Sequence, residues 1–227
     1  MKLNLGAGRL SFPLDRDNIP HKEHIEPLPD CVFEPGWVNV DRVLQPGINE
    51  RVDLWRFPWM RSSNGNPFND NSVSVIWASH ILEHIPHIVG VAPGLPGKLA
   101  AEYADEVAQS DGWFVFFREC WRVLEPDGLI YIRCPYGLSI PGISDPTHTR
   151  YITPGSFGYL KPDPDVPFDY RHGIHFELAE PFIYRVRGRW VKSMEGLSAD
   201  DTTEIIMTYF NVIDELRMVL RAVKEPV

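Results

Sequence analysis

The stretch Val73-Ser74-Val75-Ile76-Trp77-Ala78-Ser79 constrains the fold more than any other part of this sequence. It is short, rich in apolar and β-branched residues, and lacks the polar alternation of a half-exposed strand. It reads as a strand buried on both faces, as central parallel strands are. Such a strand needs cover on each side. Its parallel neighbours must be reached by crossover connections, which are usually helices.

The rest of the chain supplies these parts. Lys2 to Leu5, Trp37 to Asp41 and Leu129 to Cys134 read as further strands, and Val52-Asp53-Leu54 as a short one. Phe114 to Leu124 carries apolar residues at 114, 117, 121 and 124, one stripe of a helix. A second helical segment spans about Lys98 to Gln109, and Ser198 is placed as the N-cap of a later helix. Near the end, Leu216, Met218, Leu220 and Ala222 alternate with Arg217, Val219 and Arg221, which suits a final strand. Phe182 to Val191 reads as a strand or hairpin. The alternation predicts an α/β fold: a Rossmann-like, mostly parallel sheet with helices on both faces and an antiparallel final strand.

With 227 residues, one domain spanning 1–227 is expected. Residues 136 to 175 are rich in Gly and Pro and read as a lid or insertion outside the core. Residues 9 to 36 form an unusually long connection after the first strand, with little helical periodicity. The net charge is −9 and no Lys/Arg block stands out, so nucleic acid is disfavoured as a partner. Arg185-Val186-Arg187-Gly188-Arg189 reads as a solvated strand face. Cys31, Cys120 and Cys134 show no disulfide or zinc spacing. No signal-peptide stretch and no run of about 20 apolar residues is seen, and a cytoplasmic protein is expected.

In open α/β sheets, ligands bind beyond the carboxyl ends of the strands. Residues just after each strand are therefore the candidates. Gly6-Ala7-Gly8 follows the first, where glycines allow close backbone approach. Ser11 stands where a dinucleotide fingerprint needs its last glycine, which counts against an NAD enzyme. Asp41 follows the second strand; its carboxylate can accept both hydroxyls of a ribose. Asp53 with Leu54 can border an adenine. Ser79-His80-Ile81-Leu82-Glu83-His84 follows the buried strand. His80 and His84 have helical i, i+4 spacing, but no third metal ligand is specified and no metal is assigned.

These motifs, with Leu3-Asn4-Leu5, Asp70-Asn71-Ser72-Val73 and Glu119-Cys120-Trp121-Arg122-Val123-Leu124-Glu125-Pro126-Asp127-Gly128, resemble the class I S-adenosylmethionine (SAM)-dependent methyltransferases over roughly residues 2 to 135. The likeness is to a branch that opens on its first strand and carries an HxLEH segment. It implies SAM as cofactor, held by Asn4, Gly6, Ala7, Gly8, Asp41, Arg42, Asp53, Leu54, Ser79 and His80. The segment Asp145-Pro146-Thr147-His148-Thr149-Arg150, also similar to relatives of that branch, offers His148 as a general base, with His80 as the other candidate. Arg150 can hold an anionic acceptor, with Asp145 and Tyr136 beside it. The expected function is methyl transfer to a small molecule or sugar. The alternative is a SAM-binding protein without catalysis.

Overall fold

A computed structural model describes residues 1–7, 12–14, 28–161 and 173–224. Its strands are β1 (Lys2–Leu5), β2 (Trp37–Asp41), β3 (Glu50–Arg51), β4 (Arg56–Phe57), β5 (Val73–Ser79), β6 (Gly90–Val91), β7 (Leu124–Pro135), β8 (Phe176–Val186) and β9 (Ile213–Ala222). The main sheet has the order β3-β2-β1-β5-β7-β9-β8. β3, β2, β1, β5 and β7 run parallel, and β9 lies antiparallel between β7 and β8. This is the mostly parallel α/β sheet with a reversed final strand that the sequence predicts. β4 and β6 pair separately.

The helices are α1 (Gly97–Gln109), α2 (Gly112–Val123), α3 (Ile140–Ile143), α4 (Gly188–Met194) and α5 (Ala199–Thr208). Helix α2 starts where Asp111 accepts from the Trp113 amide at 2.8 Å. Its buried side, with Trp113, Phe116, Phe117 and Cys120, joins the core formed by Leu3, Leu5, Ile76, Ala78, Ile130 and Ile132. Burying each large ring is worth roughly 1.5–3 kcal/mol. Alternate residues of β5 serve a second cluster, in which Trp77 packs with Phe12, Leu14, Val32 and Trp37. There, among the described residues, the sheet is covered by residues 12 to 14 and the short 3-10 turn Asp30–Phe33. β5 is thus covered on both faces.

Several boundaries differ from expectation. The third strand is Glu50–Arg51 rather than residues 52 to 54, and Val52 follows it by donating to the Asp41 carbonyl at 2.9 Å. A carboxylate fixes this choice. Buried Glu50 accepts from Arg61, from the Ser62 hydroxyl and from the Ser63 amide and hydroxyl. Of the strand or hairpin expected over 182 to 191, the strand holds to Val186 as the end of β8, and α4 follows from Gly188. Ser198 does cap α5, accepting from the Asp201 amide at 3.1 Å.

The Gly/Pro-rich stretch is not a lid outside the core over its described part. Ile152, Phe157 and Leu160 are buried in the main cluster, and Phe157 packs on Trp113 and Phe117. Gly and Pro there serve tight turns: a Cβ on Gly137 or Gly142 would lie within 3 Å of backbone atoms. Residues 162 to 172 of this stretch, and most of the long connection at 9 to 36, lie outside the described residues.

Candidate functional site

The strand order changes direction between β1 and β5, since β1 has β2 on one side and β5 on the other. This is a topological switch point. In register, Leu5 lies beside both Val40 and Ala78. The next residues therefore stand side by side at the carboxyl edge: Gly6 just after β1, and Asp41 and Ser79 as the last residues of β2 and β5.

Gly6 has φ +58°, and a Cβ there would stand 2.1 Å from the Ile81 side chain. Backbone conformation and space both call for glycine. The Ala7 amide donates to the Val40 carbonyl at 3.0 Å, which holds the turn against β2. Gly8 lies outside the described residues. Asp41 accepts from the Val43 amide at 2.9 Å, and Val43 and Leu44 beyond it are 63% and 60% exposed. Sequence reading missed this apolar pair because an isolated Val-Leu in a loop looks ordinary. The Arg42 carbonyl accepts from the Arg51 side chain at 3.2 Å. Asp53 accepts from the Trp55 amide and lies 3.6 Å from Arg56. Leu54 is a core residue whose carbonyl accepts from the Trp59 indole.

Asn4 is buried inside the sheet layer rather than at its rim. Its amide donates to Asn39 Oδ1 at 2.9 Å. Asn39 also accepts from the Phe12 amide and donates to the Phe12 carbonyl. This network ties the chain after β1 back onto β1 and β2.

His80 has φ +54° and sits between two carboxylates. Nδ1 is 3.3 Å from Glu83 Oε1, and Nε2 is 3.3 Å from Glu215 Oε2. Carboxylates only accept, so both ring nitrogens must donate. Burial opposes the charged ring, but the bonds to Glu215 and Glu83 outweigh it and raise the pKa to about 9. His80 is therefore an imidazolium near neutral pH. That corrects its expected role as a general base, which needs a free lone pair.

Glu215 is itself locked. Arg133 Nη2 donates to both of its oxygens at 2.9 Å, and Arg217 donates to Oε1. Burial works against the carboxylate. The His80 bond, Arg133 and Arg217 prevail and hold its pKa at about 2. Glu215 is not among the sequence candidates, and Glu83 enters them only within the segment that follows the buried strand. The strand alternation gives Glu215 a face, but only the β7–β9 pairing brings it to Arg133.

The 145 to 150 segment straps the turn after β5. The Thr149 amide donates to the Glu83 carbonyl at 2.8 Å, and its hydroxyl to the Ile85 carbonyl at 2.7 Å. Arg150 donates to the carbonyls of Ile85 and Pro86 and to Asp111 Oδ1 at 2.6 Å, lying over the Trp113 ring. This replaces the expected anion clamp: the guanidinium is used to fasten the strap. Asp145 accepts from the Thr147 amide and hydroxyl, which lower its pKa, so it shapes the turn. Tyr136 is a core residue packed edge-on to Tyr184 at 6.2 Å. His148 donates through Nδ1 to the Gly142 carbonyl at 2.9 Å.

No family model matches the chain, and no curated protein does. Solved structures resemble it remotely, among them the following three. A SAM-dependent methyltransferase from Archaeoglobus fulgidus is 14% identical, with 97% of this chain and 85% of that one covered and a TM-score of 0.48. The YcgJ protein from Bacillus subtilis is 13% identical, with 99% and 92% covered and a TM-score of 0.46. An S-adenosylmethionine-dependent methyltransferase from Mesorhizobium loti is 12% identical, with 97% and 89% covered and a TM-score of 0.44. Among the described residues, no helix is long and apolar enough to cross a membrane.

Proposed function

We propose that this protein binds SAM at the carboxyl ends of β1, β2 and β5 and transfers its methyl group to a small-molecule acceptor. The observation that carries this is that Gly6, Asp41 and Ser79 stand side by side at the switch point, with Gly6 in left-handed backbone against the Ile81 side chain. The residues present suit the cofactor. Gly6 and Ala7 bring backbone to the rim. Asp41 is an acceptor-only group matched to ribose hydroxyls. The exposed Val43 and Leu44, with Asp53 on the neighbouring segment, offer an apolar wall with a polar edge, as an adenine requires.

When bound, SAM supplies a methyl on a sulfonium, a carbon already activated for in-line displacement. The protein's own contribution is placement. His80 holds a fixed positive charge at the end of β5, set by Glu83 and Glu215. The strap fastened by Thr149 and Arg150 forms one boundary of the acceptor side. A small metabolite or sugar fits the acidic net charge of −9 better than a polyanion.

The test is formation of S-adenosylhomocysteine by the purified protein with a panel of hydroxylated and amino metabolites. Acceptor-dependent product supports the reading. One observation favours SAM binding without turnover: both nitrogens of His80 and the Nε and Nη2 donors of Arg150 are occupied. Saturable SAM binding with no product across the panel would establish that alternative.

A further inference from the structure

Glu83 presents an anomaly. Its carboxylate is 2% exposed, yet Oε2 has no hydrogen-bond partner. Leaving a buried carboxylate oxygen unsatisfied is costly, and such atoms call for an explanation. The neighbours of Glu83 supply one. One ligand atom from each of Glu83, His84 and His148 lies within 4.8 Å of the others. The two imidazole rings meet edge-on, with centroids 4.9 Å apart.

The hydrogen bonds around these rings fix their tautomers. His148 Nδ1 faces the Gly142 carbonyl at 2.9 Å, so it carries the proton. His84 Nδ1 lies 3.3 Å from the Thr147 carbonyl and 3.2 Å from the Thr147 hydroxyl oxygen. That hydroxyl donates to Asp145 at 2.6 Å, so toward His84 it accepts, and Nδ1 of His84 carries a proton too. In the neutral rings the free lone pair therefore lies on Nε2. An imidazole whose far N–H is held by a backbone carbonyl is the usual outer-shell arrangement of a metal-ligating histidine.

We infer that Glu83, His84 and His148 form a binding site for a divalent first-row transition ion of the zinc type. Two imidazoles and one carboxylate suit zinc, cobalt or iron(II) rather than magnesium or calcium, which prefer all-oxygen sets. Bonds of about 2.1 Å would draw the ligand atoms to roughly 3–3.5 Å apart, a closure within reach of side-chain rotation. Asp145 Oδ2 lies 3.8 Å from His148 Nε2 but stands outside the three-residue cluster. The ion would staple the turn after β5 to the 145–150 strap, reinforcing the bonds that Thr149 and Arg150 already make. His148 then acts as a ligand rather than as the general base expected from sequence. The inference does not depend on SAM binding or methyl transfer.

The test uses tag-free full-length protein, freed of metal with a chelator and titrated with Zn²⁺ by calorimetry and with Co²⁺ by visible absorption. One equivalent of each ion should bind, with cobalt bands of an imidazole–carboxylate site and a rise in melting temperature. His84→Ala and His148→Ala should each weaken binding at least tenfold, while His87→Ala, outside the cluster, should leave it unchanged. Because buried Glu83→Gln risks misfolding, His84→Ala is the primary variant, with circular dichroism confirming its fold. Wild-type protein that binds no stoichiometric ion would overturn the inference. So would binding that survives in both histidine variants.

Discussion

Glu215 on β9 meets His80, the residue after β5, at 3.3 Å, although 135 positions separate them. The contact is possible because β7 lies between their strands and its Arg133 grips the same carboxylate. A charged chain of His80, Glu215, Arg133 and Arg217 thus crosses the sheet beside the proposed cofactor site.

This chain makes acid stability depend on Glu215. Its folded pKa, about 2, lies below the ordinary 4.5. The stabilisation is therefore complete above about pH 4.5 and is lost as pH falls through about 2. The shift corresponds to on the order of 3 kcal/mol. Urea unfolding of the wild type should show stability falling across that window. In Glu215→Gln the protein should be less stable at pH 7, and the fall should be much flatter. Parallel curves for the two proteins would refute the assignment.

Gly6→Ala forces a side chain into left-handed backbone and against Ile81. The backbone strain alone costs about 1–2 kcal/mol. The Ile81 side chain can swing aside, so the protein should fold, but with the rim of β1 displaced. Denaturation should report the stability loss, and calorimetry should show at least tenfold weaker SAM binding. An unchanged affinity would remove Gly6 from the site.

Asn39→Ala removes one partner of Asn4 and leaves both polar groups of Phe12 without theirs. Each orphaned buried group costs roughly 1–3 kcal/mol. Hydrogen exchange at the Phe12 amide should accelerate well before the bulk of β1 and β5. Equal acceleration across the whole sheet would instead indicate a general loss of stability.

Arg150→Ala should loosen the strap without unfolding the sheet. It removes bonds to Ile85, Pro86 and Asp111 and the contact with Trp113. A double-mutant cycle with Asp111→Asn should give a coupling of about 1–2 kcal/mol, since the pair is part-buried and hydrogen-bonded. Additive effects would show that the strap is held by something else.

The sheet was legible in the sequence because its strands are short and bounded by turn residues, and because α2 carries an unbroken apolar stripe. The strand ends were legible for the same reason, which is why Gly6, Asp41 and Ser79 could be named. Three features were not. The third strand is set by a buried carboxylate, Glu50, whose partners lie eleven or more residues away. The 136 to 161 stretch looks like loop by composition, yet Ile152, Phe157 and Leu160 complete the core. His80 looked like a base because pairing with Glu215 depends on strand register, which a single sequence does not display.

The central claim is tested most directly by titrating the purified, metal-free protein with SAM in a calorimeter, beside Asp41→Ala. One equivalent should bind to the wild type, and the substitution should weaken binding at least tenfold, because Asp41 offers the acceptor pair for the ribose. A folded wild-type protein that takes up no SAM would contradict the account, as would an Asp41→Ala variant that binds it equally well.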